Sequence, residues 1–352
     1  MSAVIELLRD LVAFPSLSGE EGAVSDFLRE WLAARDLAAQ VLDHNLAVRV
    51  GDSGPTLLLN SHLDVVGVGT GWETEPFTPV VRDGRMIGRG CNDAKASVAA
   101  MAVAMAALRQ DPPPGVQILF AATTEEERGP NGLRRFLPHL GPLHSAVVGE
   151  PTELHPAVVQ NGLLLLELTA RGRAGHAARP HLAVNAIDIA VKDIAALHAL
   201  TWEPTNPHVG AMTLVVTQVS AGRAHNVIPD TAEMVIDART IPELSPEAVI
   251  ERVRSVVQSE VHVRSNRLRP VATPPDAPIL AAVLAALPEA KPFGSPTVSD
   301  WSQMPDVPAV KLGPGRSEVS HTANEWVELD QVERAAVAYE RIAREWAARV
   351  AG

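Results

Sequence analysis

Only one cysteine, Cys91, occurs in the chain, so no internal disulfide can form. A chain without disulfides suits a reducing compartment, and a cytoplasmic location is expected. Nowhere do about 18 or more apolar residues follow one another, so no membrane-spanning helix is expected. Positive charge is in short supply: 30 Lys and Arg against 42 Asp and Glu leave a net charge of −12. An acidic surplus of this kind repels phosphate backbones and argues against nucleic acid as a partner. There is also no internal repeat and no low-complexity tract. The opening MSAVIELLRDLVAF carries Glu6, Arg9 and Asp10 inside its apolar pattern, which reads as an amphipathic helix rather than a signal peptide.

What is present is a soluble, globular composition, 46% hydrophobic and 20% charged. At 352 residues the chain exceeds one ordinary core, so two domains are expected. Ser18 and Glu21 have the spacing of a capping box ahead of a helix through Phe27, Leu28, Trp31 and Leu32. Thr56 to Leu59, Val116 to Ala122 and Ala146 to Val148 are short apolar runs of the kind buried parallel strands show, and residues 97–109 form an Ala/Met-rich helix between the first two. This order predicts an α/β sheet with right-handed crossovers. The middle differs. Long strand-like runs at Leu163 to Thr169 and Met212 to Val219, the alternating TAEMVIDAR at 231–239, and helical stretches at 182–199 and 246–259 suit a small inserted α+β domain. A Pro-rich return follows around Pro270, Pro274 and Pro275, then a strand at Pro308 to Leu312 and a helix from about Leu329 to Ala348. The expected organisation is a mixed-sheet α/β catalytic domain in two pieces, 1–162 and 270–352, with an α+β lid or dimerisation domain at 163–269.

Chemistry-bearing residues gather where apolar strands stop. In LLLNSHLDVV, His62 ends the first strand, and Asp64, two residues on, lies on the same side of extended backbone. A carboxylate beside an imidazole orients the ring as a metal ligand, although a plain surface pair has the same pattern. Asp93 in GRGCNDAK sits ahead of a helix, where a carboxylate serves as a cap or as a bridge between metals. Cys91 has oxygen donors around it in sequence and reads as a packing residue. In TTEEERGPNG three successive glutamates follow the second strand; they form an ordinary solvated loop, or cations offset their repulsion, with one Glu as ligand and its neighbour as general base. Glu150, in VVGEPT, ends the third strand. Three strands delivering His or acid to one edge match the place where ligands bind in open parallel sheets. His176 in GRAGHAARP and His321 in LGPGRSEVSHTANEW are the remaining histidines in ligand-like settings.

Together these segments, in order from His62 to Glu325, resemble the acetylornithine deacetylase / succinyl-diaminopimelate desuccinylase family of di-zinc metallopeptidases and deacylases. The resemblance implies two Zn2+ ions per subunit, with Co2+ or Mn2+ as substitutes. His62 and Glu150 would hold one ion, Glu127 and His321 the other, and Asp93, followed by a cis peptide, would bridge them. Asp64 would orient His62. Glu126 would be the general base, the register being set by Gly129, two residues after the family's metal-binding Glu. His176 would stabilise the oxyanion, reaching across a homodimer formed through the inserted domain. Asn226 in HNVIPD and Arg239 in DAR would line the substrate site, Arg239 on the α-carboxylate. Asp300, in TVSDW, would face a substrate ammonium, or is a turn-forming residue.

The same resemblance implies hydrolysis of the amide of an N-acyl amino acid. Desuccinylases usually carry an arginine pair after NG, where this chain has Leu163 and Leu164, so N2-acetylornithine deacetylation in arginine synthesis is the leading expectation. The alternatives are release of lysine or ornithine from an amino-group carrier protein, desuccinylation, a dipeptidase, and a non-catalytic binding protein. The last would lack ligands or base, and none is lacking here.

Overall fold

The computed structural model describes residues 2–351. The chain divides into two compact units: 1–158 with 272–293 and 299–352, and 159–271 with 294–298. The short piece 294–298 clusters with the second unit, although it lies in sequence within the stretch expected to return to the first.

The first unit is built on a mixed sheet. Its strands run in the order Gln40–Leu42, Asn45–Val50, Gln117–Thr123, Thr56–His62, Ser145–Val148 and Ala309–Lys311. Thr56–His62 pairs in parallel with Gln117–Thr123 and with Ser145–Val148, and Ala309–Lys311 continues the parallel set. Asn45–Val50 joins antiparallel. Every residue of Thr56–His62 is buried, as a central strand covered on both faces requires. The helix Lys95–Gln110 lies against this strand, the helix Ala3–Val12 and the last helix, Leu329–Val350. That explains its composition. Eleven of its residues are buried, and alanines let neighbouring backbones approach while Met101 and Met105 fill the gaps between them. Two large buried side chains of the last helix find partners here: Trp346 Nε1 donates to Ser145 Oγ at 3.0 Å and the Tyr339 hydroxyl to the Leu312 carbonyl at 2.8 Å. No helix among the described residues is long and apolar enough to cross a membrane.

The second unit is a four-stranded antiparallel sheet in the order Thr213–Ala221, Thr231–Thr240, Gly162–Arg171 and Glu260–Leu268. Alternate residues of one face, Leu164, Leu166 and Leu168 beside Met234 and Ile236, form a core with Ala186, Ala190 and Leu197 of one helix and Val249 and Val253 of another. The two helices span Ala186–His198 and Pro246–Val256, shorter than the sequence pattern suggests. Asn185 and Ser245 cap them, accepting from Ile187 N and Ala248 N, and proline at 246 takes a position whose N–H needs no partner.

Candidate active site

Parallel strands that share a direction place their carboxyl ends on one edge, and there the first unit collects its titratable residues. His62 is the last residue of its strand and is 1% exposed. Its Nδ1 lies 2.9 Å from the Asp64 carbonyl, and its Nε2 faces Asp93 Oδ1 at 3.2 Å and Glu150 Oε1 at 3.9 Å; a ring that donates through Nδ1 can offer Nε2 as a ligand. His321 comes from the other side: its Nε2 is 3.0 Å from the Glu127 carboxylate and 3.5 Å from Asp93 Oδ2. The two oxygens of Asp93 thus face two different imidazoles, each with a glutamate of its own. The peptide after Asp93 is cis.

The three consecutive glutamates have three different surroundings. Glu125 turns away and forms a two-point contact with Arg135, at 3.1 and 3.3 Å. Glu127 meets His321. Glu126 stays half-buried beside Glu150 and Asp300. Their separation is made by the backbone: Glu125 adopts φ +55°, a left-handed conformation that costs a non-glycine residue about 1–3 kcal/mol. What holds the turn is Asp64, fully buried, whose Oδ1 accepts from Glu126 N at 3.0 Å and whose Oδ2 accepts from Glu127 N at 3.1 Å. Asp64 therefore links the His62 strand to the glutamate loop.

Ser18 and Glu21 belong to the same support, which corrects the capping-box expectation. The helix begins at Gly22 without a side-chain cap. Ser18 Oγ instead donates to Asp64 Oδ2 at 2.7 Å, and Glu21 Oε1 accepts from Gly19 N at 2.9 Å and Glu125 N at 3.0 Å. Asp300 opens the short helical turn Asp300–Gln303, as a turn-forming residue would, but it is buried, 1% exposed, and accepts from Thr123 Oγ1 at 2.7 Å.

The electrostatics are those of crowded acid. Burial pushes Glu126 well above the ordinary carboxylate range, and the charge of Glu150 adds to it. Burial raises Glu150 to about 8 against the opposing charge of Lys311, and raises Asp300 to about 6. Glu127 is raised by burial despite its bond to His321. Burial acts to lower His62, but hydrogen bonds to Asp64 and Asp93 override it and hold the ring well above its usual value. Burial alone would raise Asp93; His62 and His321 instead bring it down to about 2.

This donor set fits metal ions. Ligand atoms of His62, Asp93 and Glu127 lie within 4.8 Å of one another. Oxygen and imidazole donors without thiolate suit Zn2+, Co2+ or Mn2+. Divalent cations would remove the repulsion among Asp93, Glu126, Glu127 and Glu150. Cys91 stays out of the cluster, buried with Sγ 3.3 Å from the Met86 carbonyl.

The second unit carries the other three candidates. His176 is exposed on a two-stranded ribbon, Gly175–His176 with Val227–Ile228, and Ala177 N donates to the Asn226 carbonyl at 3.0 Å, so His176 and Asn226 are neighbours. Arg239 contacts Asp237, Nε to Oδ1 at 2.8 Å, on the strand face opposite the core. Beside it in register stands Leu163, while Leu164 is buried in the core.

Comparison with known proteins agrees with this geometry. The chain is 33% identical over 278 residues to succinyl-diaminopimelate desuccinylase of Thioalkalivibrio sulfidiphilus (strain HL-EbGR7), covering 74% of each. Its fold is similar to that of the aminopeptidase PepT of Bacillus cereus ATCC 10987, with TM-score 0.83, 20% identity and 98% of both chains covered. A dinuclear metal-binding M20 peptidase of Bacillus subtilis aligns with TM-score 0.77 and 19% identity over 99% of this chain and 97% of that one. Residues 58–345 match the description of peptidase family M20/M25/M40, so the chain belongs to that family and is a metal-dependent hydrolase of amide bonds.

Proposed function

We propose that this protein removes the acyl group from the α-amine of a small amino acid, with N2-acetylornithine as the preferred substrate. It does so as a cytoplasmic homodimer with two Zn2+ per subunit. His62 and Glu150 hold one ion, Glu127 and His321 the other, and Asp93 is shared. The observation that carries this reading is the arrangement of Asp93, one oxygen toward His62 and the other toward His321.

When bound, the two metal ions would polarise the amide carbonyl and lower the pKa of a water toward neutrality. Glu126 takes the proton of the attacking water and returns it to the leaving amine. Its elevated proton affinity, set by burial, suits a base that must hold a proton between the two steps. Asp64 fixes the tautomer of His62 and the backbone of Glu126 at once, so ligand and base keep register. His176 stabilises the oxyanion of the other protomer, and Asn226 and Arg239 bind the substrate, Arg239 through its α-carboxylate. Asp300 is too enclosed for its 1% exposure to favour an ammonium partner.

Leu163 and Leu164 favour a small, uncharged acyl group: the residue beside Arg239 is apolar, and the next is in the core. The desuccinylase relative favours the second reading, a succinyl substrate and lysine synthesis. Release of lysine or ornithine from a carrier protein and dipeptide hydrolysis share the same site chemistry. For the dimer, the edge strand Thr213–Ala221 exposes Val215 and Val219 at 52% and 56%, and the helix Ala186–His198 exposes Val191 at 59%, apolar surface that a second copy would cover.

Steady-state deacylation by Zn-loaded protein distinguishes these. N2-acetylornithine should show the highest kcat/KM among acetylornithine, N-succinyl-diaminopimelate, a carrier-linked lysine and a dipeptide panel. Preference for the succinyl substrate would move the function to the second reading.

A further inference from the structure

We infer that Glu325 is a positioning residue for the reaction, a buried carboxylate that sets where Asp93 presents its two oxygens. This rests on the reading of Asp93 as the shared ligand. Glu325 is 1% exposed, and its carboxylate is spent on backbone amides and on Arg89 instead of on an imidazole ligand or Glu126; it acts through the backbone. Its Oε1 accepts from Gly90 N at 3.1 Å, Asn92 N at 2.9 Å and Asp93 N at 3.0 Å. Its Oε2 accepts from Arg89 Nη1 at 2.6 Å and again from Gly90 N at 3.1 Å. Backbone amides converging on one oxygen make an anion cup, and here the anion is part of the protein. The cup demands a particular turn: Gly90 has φ +83°, and a Cβ there would lie 2.4 Å from Val65 Cγ1.

Glu325 also links Asp93 to the rest of the site. It follows His321 by four residues, so one anchor serves the segments that carry both. Asn92, inside the cup, reaches the same segment through its side chain: Nδ2 donates to the Arg316 carbonyl at 3.0 Å and Ser320 Oγ at 3.1 Å, and Oδ1 accepts from Arg316 N at 2.8 Å. Arg89, also 1% exposed, extends the anchor to the loop after the His62 strand, donating to the Gly67 and Val68 carbonyls at 3.3 and 3.4 Å. A buried ion pair is a weak reason for keeping two charges, since an apolar pair of similar volume is often as stable. What an apolar residue cannot do is accept three amides at one point. The acceptor, more than the charge, is therefore what Asp93 needs.

The test separates acceptor from charge. Metal-free wild type, Glu325→Ala and the double variant Arg89→Met/Glu325→Gln are titrated with Co2+, following visible absorption and heat, with thermal melts as a check on folding. Kinetics are read on whichever substrate wild type hydrolyses. Glu325→Ala should bind the second Co2+ about 10–100-fold more weakly and lose kcat with little change in KM. The double variant, which keeps an acceptor oxygen and removes both charges, should stay close to wild type in Co2+ spectrum and affinity. If Glu325→Ala does not fold, Glu325→Asp, whose shorter side chain withdraws the oxygen from the cup, is read in its place with the same expectation. Wild-type Co2+ binding in the truncated variant, or equal losses in truncated and double variants, overturns the inference. Wild type that binds no Co2+ would instead sink the proposed function.

Discussion

At the scale of single residues, the cluster assigns distinct work to chemically identical groups. Glu125, Glu126 and Glu127 are adjacent, yet one is neutralised by Arg135, one faces His321 and one is left with a raised proton affinity. Glu126→Gln should therefore lower kcat by about 10²–10⁴-fold while Co2+ still binds at two equivalents. A variant that loses both together would make Glu126 a ligand and not the base. Most of this cluster is legible in the sequence, because His62, the glutamates and Glu150 each follow an apolar run. Ser18 is not. Its spacing to Glu21 imitates a helix cap, and the partner that decides its role, Asp64, is 46 residues away. Glu325 is invisible for the same reason: its cup is made by a turn more than 230 residues earlier in the chain.

At the scale of elements, the strand ends work only because the helix Lys95–Gln110 comes close to them. Gly149 marks the approach. A Cβ there would lie 2.6 Å from Ser97 Cβ, 2.8 Å from Met101 Cε and 3.1 Å from Ser61 Cβ. Gly149→Ala should then cost about 1–3 kcal/mol of stability and displace Glu150, weakening one ion preferentially. Thermal melts and Co2+ titration check both, and an unchanged melting temperature would mean that the helix yields at no cost. The long apolar strands and the Ala/Met helix are readable from periodicity. Ala157–Gln160, four residues long, and Glu260–Leu268, with exposed residues alternating with half-buried ones along its polar EVHVRSNRL, carry too little apolar contrast to stand out.

At the scale of the whole molecule, metal and stability should be tied through pH. A carboxyl raised by burial holds its proton more tightly folded than unfolded, so stability falls as pH rises from near 4 through about 6 for Asp300 and about 8 for Glu150. The raised His62 and His321 act in the same direction. Asp93, held down to about 2, acts oppositely and is lost only in acid. Metal-free protein should accordingly melt higher at pH 5 than at pH 8, and a saturating divalent cation should remove or reverse the difference. A flat or rising profile without metal would contradict this account. The proposed dimer has its own test. Glu126→Gln and His176→Ala, each inactive alone, should regain about a quarter of wild-type activity when mixed and allowed to exchange subunits, the share of intact sites given by random pairing. No recovery despite exchange would place His176 outside the neighbouring protomer's chemistry.

His62, Asp93, Glu127, Glu150 and His321 all belong to the first unit, whereas His176, Asn226 and Arg239 belong to the second. On the proposed roles, metal binding and proton transfer are written in one stretch of the chain, substrate contacts and oxyanion stabilisation in the other. The inserted stretch can change the amino acids around His176, and with them the molecule that is accepted, while the metal ligands and the base stay as they are. Such a protein can acquire a new diet without relearning how to digest.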